Sequence, residues 1–536
     1  MPAPRRIDSA QSGRRYRVPA PAFEPPQQRA TLTRMSLSRS QLEELIALLG
    51  ADAVLASEAA LFTYEADALT LDRATPDCVV LPRTTDEVAA IVRWARAHAL
   101  PVTARGAGTG LAGGATPEQG GLTLSLNRMD RLLKVEPERM LAWVQPGLVN
   151  LALSQQTAAV GLYYAPDPAS QQVSTVGGNV ATNAGGPHCL KYGVTFNHVL
   201  GATVVLADGA VVQLGGEALD APDFDLLSAV VGSEGTLGII TEICVRLLPR
   251  PEAVKTMLFD FAGVEQACRT VSAAIAGGIV PAAMEIMDQH TVRVVEEWLH
   301  IGLPLDAGAV LLIEVDGPAA GLEAQADRIV ELARAHGTRS TRIARDESER
   351  AQIWKGRKSA FGAYGRLGRG FYIMDGVVPR TRLAEALTTI YRLCGERGLE
   401  TGNVFHAGDG NLHPHVLFDA DDARAQQAAL EVSHEILRMC IRMGGTISGE
   451  HGVGIEKRSM MTELYAPEDL DVMERLRRAF DPERRLNPGK ILPGGGGCGE
   501  GHEHLVARAR VAGGREGVPA QLGGHAARAD VEGPWI

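Results

Sequence analysis

The chain has 536 residues, 45% hydrophobic and 22% charged, the balance of a globular protein long enough for two or three domains. Its net charge of −11 disfavours nucleic-acid binding, which usually needs a basic face. No run of roughly 18 apolar residues occurs, so no membrane span is expected, and the seven cysteines (78, 189, 244, 268, 394, 440 and 498) form no Cys-x-x-Cys pair, which disfavours an iron–sulfur cluster or Cys-rich zinc site and points to a reduced, cytoplasmic protein.

Residues 1–34 hold seven Arg, six Pro and two acids, with neither the apolar core of a secretory signal nor an uninterrupted amphipathic helix. They read as a disordered basic extension, with Met35 as an alternative start. Ser40-x-x-Glu43 then predicts a capping box, Leu42, Leu45, Ile46 and Leu49 an apolar stripe, and Gly50 the helix end. From about 77 to 250, "DCVVLP", "VTARG", "LTLSL", "LAWV" and "ATVVLADG" read as strands, and Thr84-x-x-Glu87 caps a helix through His98. Strands outnumber helices, so this domain, 35–250, is α+β. Pro249 and Pro251 mark a linker. In the second α+β domain, 255–493, "TMLFDF", "AVLLIEVDG", "FYIMDGVV" and "GNVFHAG" read as strands and 318–336, 381–398 and 422–443 as helices. The Gly/Ala/Arg/His-rich tail 494–536 is expected to be disordered.

Five constellations can carry chemistry. "VTARGAGTGLAGGA" places Gly106, Gly108, Gly110, Gly113 and Gly114 straight after a strand, so bare backbone N–H groups can cradle a phosphate. Gly108-x-Gly110-x-x-Gly113 matches a dinucleotide fingerprint, but Pro117 and Gly120-Gly121 break the helix that the fingerprint must open. "APDPASQQVSTVGGNVATNAGG" and "VGSEGTLGII" supply further Gly-rich loops, suited to one large cofactor held along its length. "NVFHAGDGNLHPHVLF" sets His406, His413 and His415 about an Asp409-Gly410 turn, and "SGEHGVG" adds Glu450 and His451; two His plus a carboxylate form a borderline-metal set or a catalytic site. In "IWKGRKSAFGAYGR", Arg357 and Lys358 can hold a substrate carboxylate.

These motifs resemble a known family. "RGAGTGLAGG", "STVGGNVATNAGG" and "GSEGTLG" are similar to the FAD-binding domain of the vanillyl-alcohol oxidase / p-cresol methylhydroxylase superfamily. "HAGDGNLHP", "SGEHGVG" and "LNPGK" are similar to the C-terminal domain of its FAD-linked 2-hydroxy-acid dehydrogenases, with the glycolate oxidase FAD-binding subunits as the nearest branch. The resemblance implies a two-lobed FAD-binding domain, then a cap with a ferredoxin-like antiparallel sheet. It implies cofactor contacts from Arg105, Gly106, Gly108, Thr109, Gly110, Gly113, Gly114, Pro166, Asp167, Ser174, Gly177, Gly178, Asn179, Asn183, Gly185, Gly186, Glu234, Gly235, Gly238 and Ile239. No His lies between 99 and 187, so FAD is expected to be non-covalent on that loop. By the same matching, His406, His413 and Glu450 fall on ligand positions for a divalent metal such as Zn or Mn, His451 beside the flavin, and Arg357, with Lys358, on the carboxylate. Ile373 stands where relatives acting on longer diacids carry Lys, which argues against 2-hydroxyglutarate. The implied function is oxidation of a small 2-hydroxy acid, glycolate or D-lactate. Electrons would pass to iron–sulfur and second FAD-domain subunits, in the cytoplasm or peripheral to the inner membrane through those partners. A stand-alone D-lactate dehydrogenase and a non-catalytic flavin-binding subunit are the alternatives.

Overall fold

The computed structural model describes residues 37–69, 71–218, 224–367 and 369–494. The expectations for residues 1–34 and for the tail beyond 494 lie outside these.

The first sheet has the order Val54–Leu55, Cys78–Val80, Leu122–Ser125, Val102–Arg105, and its last three strands run parallel. Parallel neighbours need a covering connection. Helix Thr85–Ala97 supplies it, burying Val88, Ile91, Val92 and Ala95 against Val80, Val102 and Leu122. Thr84 caps that helix by accepting from Glu87 N, and His98 ends it, as the spacing predicts. The first described helix, Arg39–Leu49, starts two residues earlier than expected. Its capping box is Ser38–Gln41 rather than Ser40–Glu43, which leaves Glu43 to pair with Arg39 on the exposed face.

The second lobe is an antiparallel sheet in the order Leu132–Glu136, Leu141–Val144, Ile239–Arg246, Val199–Val205, Val211–Gly215. Val144, Val204, Ile243 and Val245 share a core with Leu153, Val176 and Val180 from the helices above.

Ala253–Phe261 opens the cap, an antiparallel 9-stranded sheet buried on both faces. Along Ala309–Gly317, Leu311, Ile313 and Val315 enter one core while Val310 and Leu312 enter the other, the period-2 signature of a strand. Helices Val264–Ala276, Leu322–Ala335, Leu383–Gly395 and Ala423–Arg442 cover the first face. Gln289–Leu299, Glu347–Lys358 and Ala360–Gly365 cover the second. Glu285 stands opposite both Leu312 and His406 in register, and Glu314 stands opposite Ala283. Register therefore puts Glu285, Glu314 and His406 on the second face, beneath helix Glu347–Lys358. The expected strand "FYIMDGVV" is two: Gly370–Ile373 pairs with Pro414–Phe418, and Gly376–Val377 with Asn411–Leu412, with Asp375 at the break.

The end of the second domain returns to the first. Leu486 bridges Val102, and Asn487 Nδ2 donates to the carbonyls of Gly114 and Glu234. Among the described residues no helix is long and apolar enough to cross a membrane.

Candidate active site and cofactor cavity

One cavity of about 690 Å³ opens between the lobes and the cap, within the roughly 300–1,000 Å³ range of cofactor sites. The loops at 105–115, 173–184 and 233–240 all line it, and Gly106, Gly108, Gly110, Gly177, Gly178 and Gly235 keep side chains out of its wall. Gly108 has φ +73, and a side chain there would strike the Arg105 guanidinium. Ser174 Oγ and both amide atoms of Asn179 are buried on this wall without a hydrogen-bond partner. A polar heterocycle with donors and acceptors along its edges would satisfy them, so the residues present fit FAD.

Six expected cofactor residues do not line the cavity. Gly113 packs under Ile455, and Pro166 accepts from Asn150 Nδ2. Asp167 accepts from His188, and Asn183, at φ +52, accepts from Phe196 N. Gly185 backs onto Glu450, and Gly186 onto the Asp167 carbonyl. Small residues in a Gly-rich motif serve close packing as well as ligand approach, and these six brace the wall from behind. Glu234 does line the cavity, but its carboxylate accepts from Val453 N and Gly454 N.

The Asp409-Gly410 turn closes as expected: Gly410 sits at φ +86 and donates to His406 O. It brings the His406 and His413 rings to 5.1 Å, edge to face. Both Nε2 atoms lie 3.0 Å from Glu450 Oε1. The far nitrogens are held: His406 Nδ1 lies 2.8 Å from Glu285 Oε1, and His413 Nδ1 3.1 Å from the Met374 carbonyl. A carbonyl only accepts, so His413 Nδ1 carries the proton and, in the neutral ring, Nε2 presents a lone pair to a carboxylate. A cation at the convergence point resolves that opposition, and second-sphere acceptors on both rings suit a divalent metal. The three ligand atoms lie within 4.8 Å of one another. Burial pushes His406 down, but Glu285 and Glu450 outweigh it and hold its pKa well above the usual value. Burial likewise raises Glu450, and the two histidines reverse this, holding it well below.

His451 lines the cavity with its ring stacked 5.0 Å from His413, and its Nδ1 is buried with no partner. Burial pushes its pKa down to about 4, against the pull of Asp375. His415 lies apart, stacked on Tyr364.

Arg357 and Lys358 behave differently. Lys358 lines the cavity, with Nζ over the Trp354 ring. Arg357 is buried outside the lining, with Nε and Nη2 both 2.5 Å from Glu285 Oε2 and Nη2 3.5 Å from His406 Nδ1. Its Nη1 makes no hydrogen bond among the described residues, so one edge of the fork remains for an anion.

Several site residues carry no sequence signal. Asp67 lines the cavity and accepts from Leu69 N and Ala115 N, and burial raises its pKa to about 6. Glu285 and Asp375 are isolated charges in apolar stretches, and Lys457 sits in the charged run Glu456–Arg458; only the fold places them beside Arg357 and the Ser448–Gly454 loop.

Residues 76–215 match the FAD binding domain family, and residues 250–491 the C-terminal domain of FAD linked oxidases. The chain is 44% identical to the glycolate oxidase subunit GlcD of Escherichia coli K12, over 82% of this chain and 88% of that protein. The chain belongs to the FAD-linked oxidases. It is 39% identical to glycolate oxidase subunit GlcD of Bacillus subtilis (85% of this chain, 97% of that one) and 34% identical to D-lactate dehydrogenase of Anaerostipes hadrus (80% and 92%). This FAD-linked oxidase also superposes on p-cresol methylhydroxylase with a TM-score of 0.71 at 18% identity, over 84% of this chain and 96% of that one, a likeness of fold. The family and fold implied by the motifs are therefore borne out, and with them FAD as cofactor and oxidoreduction as the class of reaction.

Proposed function

We propose that the chain oxidises a small 2-hydroxy acid, glycolate or D-lactate, to the 2-oxo acid. The observation that carries this reading is the convergence of His406, His413 and Glu450, with His451 stacked on His413 and lining the FAD cavity. The printed names of the relatives, glycolate oxidase subunit and D-lactate dehydrogenase, point to the same substrate class.

A 2-hydroxy acid offers a carboxylate, a hydroxyl proton and a Cα hydride. Arg357, through its uncommitted Nη1, and Lys358, from the cavity wall, hold the carboxylate and so orient Cα. His406, His413 and Glu450 would hold the divalent metal. His451 takes the hydroxyl proton on its imidazole, which burial keeps unprotonated at neutral pH. FAD, when bound, supplies the two-electron acceptor, and a divalent cation held by His406, His413 and Glu450 would lower the hydroxyl pKa. Electrons leave for iron–sulfur and second FAD-domain partner subunits, a division supported by the relatives' being named as subunits and by the lack of a Cys-x-x-Cys pair here.

Anaerobic bleaching of the flavin against a panel of 2-hydroxy acids tests this. Glycolate or D-lactate should bleach it, and 2-hydroxyglutarate should not. His413→Ala should keep FAD while losing metal and bleaching. A chelated enzyme and a variant that both reduce at the wild-type rate would make these histidines structural.

A further inference from the structure

The loop that carries Glu450 and His451 has neither helix nor strand, yet every backbone N–H from Gly449 to Gly454 is taken, and each by a side chain. Asp375 accepts from Gly449 N (3.0 Å), Glu450 N (3.2 Å) and His451 N (2.9 Å), and from Ser448 Oγ (2.6 Å). Ser448 Oγ accepts from Gly452 N (3.0 Å). Glu234 accepts from Val453 N (2.7 Å) and Gly454 N (2.9 Å). Lys457 Nζ, fully buried, lies 3.2 Å from Asp375 Oδ2 and donates to Gly452 O (3.0 Å).

The two carboxylates come from different domains. Asp375 sits at a strand break in the cap sheet. Glu234 belongs to the cofactor lobe, in the loop that lines the FAD cavity, and its own backbone is fixed from both sides: its N donates to Ala181 O, and its carbonyl accepts from Asn487 Nδ2. It holds φ +51, a left-handed conformation that costs a non-glycine residue energy and that aims its side chain at the loop. The loop is shaped around it: Gly452 has φ +86, and a Cβ there would lie 2.8 Å from Glu234 Oε1.

We propose that Glu234 is a positioning residue: its carboxylate, beside the Ala112 carbonyl that accepts from Ile455 N and Glu456 N, ties the Glu450–His451 loop to the cofactor lobe, and so sets how far those two side chains stand from the FAD. Asp375 supplies the matching grip from the cap side. Two hydrogen bonds from adjacent N–H groups to one carboxyl group set direction as well as distance. A displacement of about 1 Å in a reacting group costs on the order of 10²-fold in rate.

The test uses FAD-loaded full-length Glu234→Ala and Glu234→Gln. Its rate arm rests on the 2-hydroxy-acid reading; its exchange arm does not. Glu234→Ala should keep FAD, slow single-turnover flavin reduction at saturating substrate by on the order of 10²-fold with a smaller change in KM, and speed amide exchange of the 446–458 segment by roughly tenfold. Glu234→Gln keeps Oε1, which accepts from both N–H groups, and should recover most of the rate and of the protection. Where wild type is not bleached by any 2-hydroxy acid, the functional reading fails and the exchange comparison alone decides. Loss of FAD with unchanged exchange would assign Glu234 to the cofactor and overturn the proposal, as would wild-type exchange, or faster exchange with an unchanged reduction rate.

Discussion

The cofactor cavity and the cap cluster touch, but they are made in opposite ways. The cavity is built around glycines, Gly106, Gly108, Gly110, Gly114, Gly177, Gly178, Gly235 and Gly238, which keep space clear. The cluster is a side-chain construction: His406, His413, Glu285, Arg357, Asp375 and Lys457 are buried charged or titratable groups, each needing a partner, and half-buried Glu450 joins them from the cavity wall. The first is broken by adding atoms, the second by removing them.

Gly110→Asp is the sharpest addition. Its Cβ would lie 3.4 Å from Asp67 Oδ2, so a second carboxylate would enter the phosphate side of the cavity beside an existing one. FAD should be absent from the purified variant; full flavin content, read from absorbance against protein, would move the phosphate site elsewhere.

His451→Asn is the sharpest removal. Flavin and substrate binding should persist while stopped-flow flavin reduction slows by roughly 10²–10⁴-fold, the usual contribution of a general base. A variant reducing at the wild-type rate would leave His451 with a packing role against His413.

Arg357→Lys keeps a cation against Glu285 but loses the planar fork, so one group can no longer serve Glu285 and a substrate carboxylate together. kcat/KM should fall about ten- to a hundredfold, the worth of roughly 1.5–3 kcal/mol for a charged hydrogen bond. An unchanged kcat/KM would hand the carboxylate to Lys358.

The smallest effect tests Asp67, a buried acid of the cavity wall. Burial raises Asp67 to about 6 from its ordinary 3.8, so the folded chain keeps the neutral form up to a higher pH than the unfolded chain does. Its stabilising contribution is complete below about 4 and is lost as pH rises through about 6. Asp67→Asn should therefore stabilise the FAD-free protein more at pH 7 than at pH 5, by a difference of about 1 kcal/mol in denaturant unfolding. Equal effects at both pH values would mean that the carboxylate is ionised and compensated.

The contrast also explains what was legible. Gly density is local, and so the cavity loops could be read directly, although the same pattern swept in Gly113, Asn183, Gly185 and Gly186, which brace the wall. The Asp409-Gly410 turn is local too, and it delivered His406 to His413. Glu285, Asp375 and Glu234 gave no comparable sign of their roles, because their partners are 72, 76 and 219 residues away along the chain.

The sequence by itself determined the elements, the Gly-rich loops and the types of chemical group available, because propensity, capping and turn geometry act over a few residues. Tertiary structure alone decided which charges meet. It split "FYIMDGVV" so that Asp375 could face the Glu450–His451 loop, turned Glu234 from the cavity to the same loop, and committed one edge of Arg357 to Glu285. A buried charge must be compensated by whatever the fold brings within about 3 Å, and nothing in the spacing of one chain segment records what a distant segment will bring.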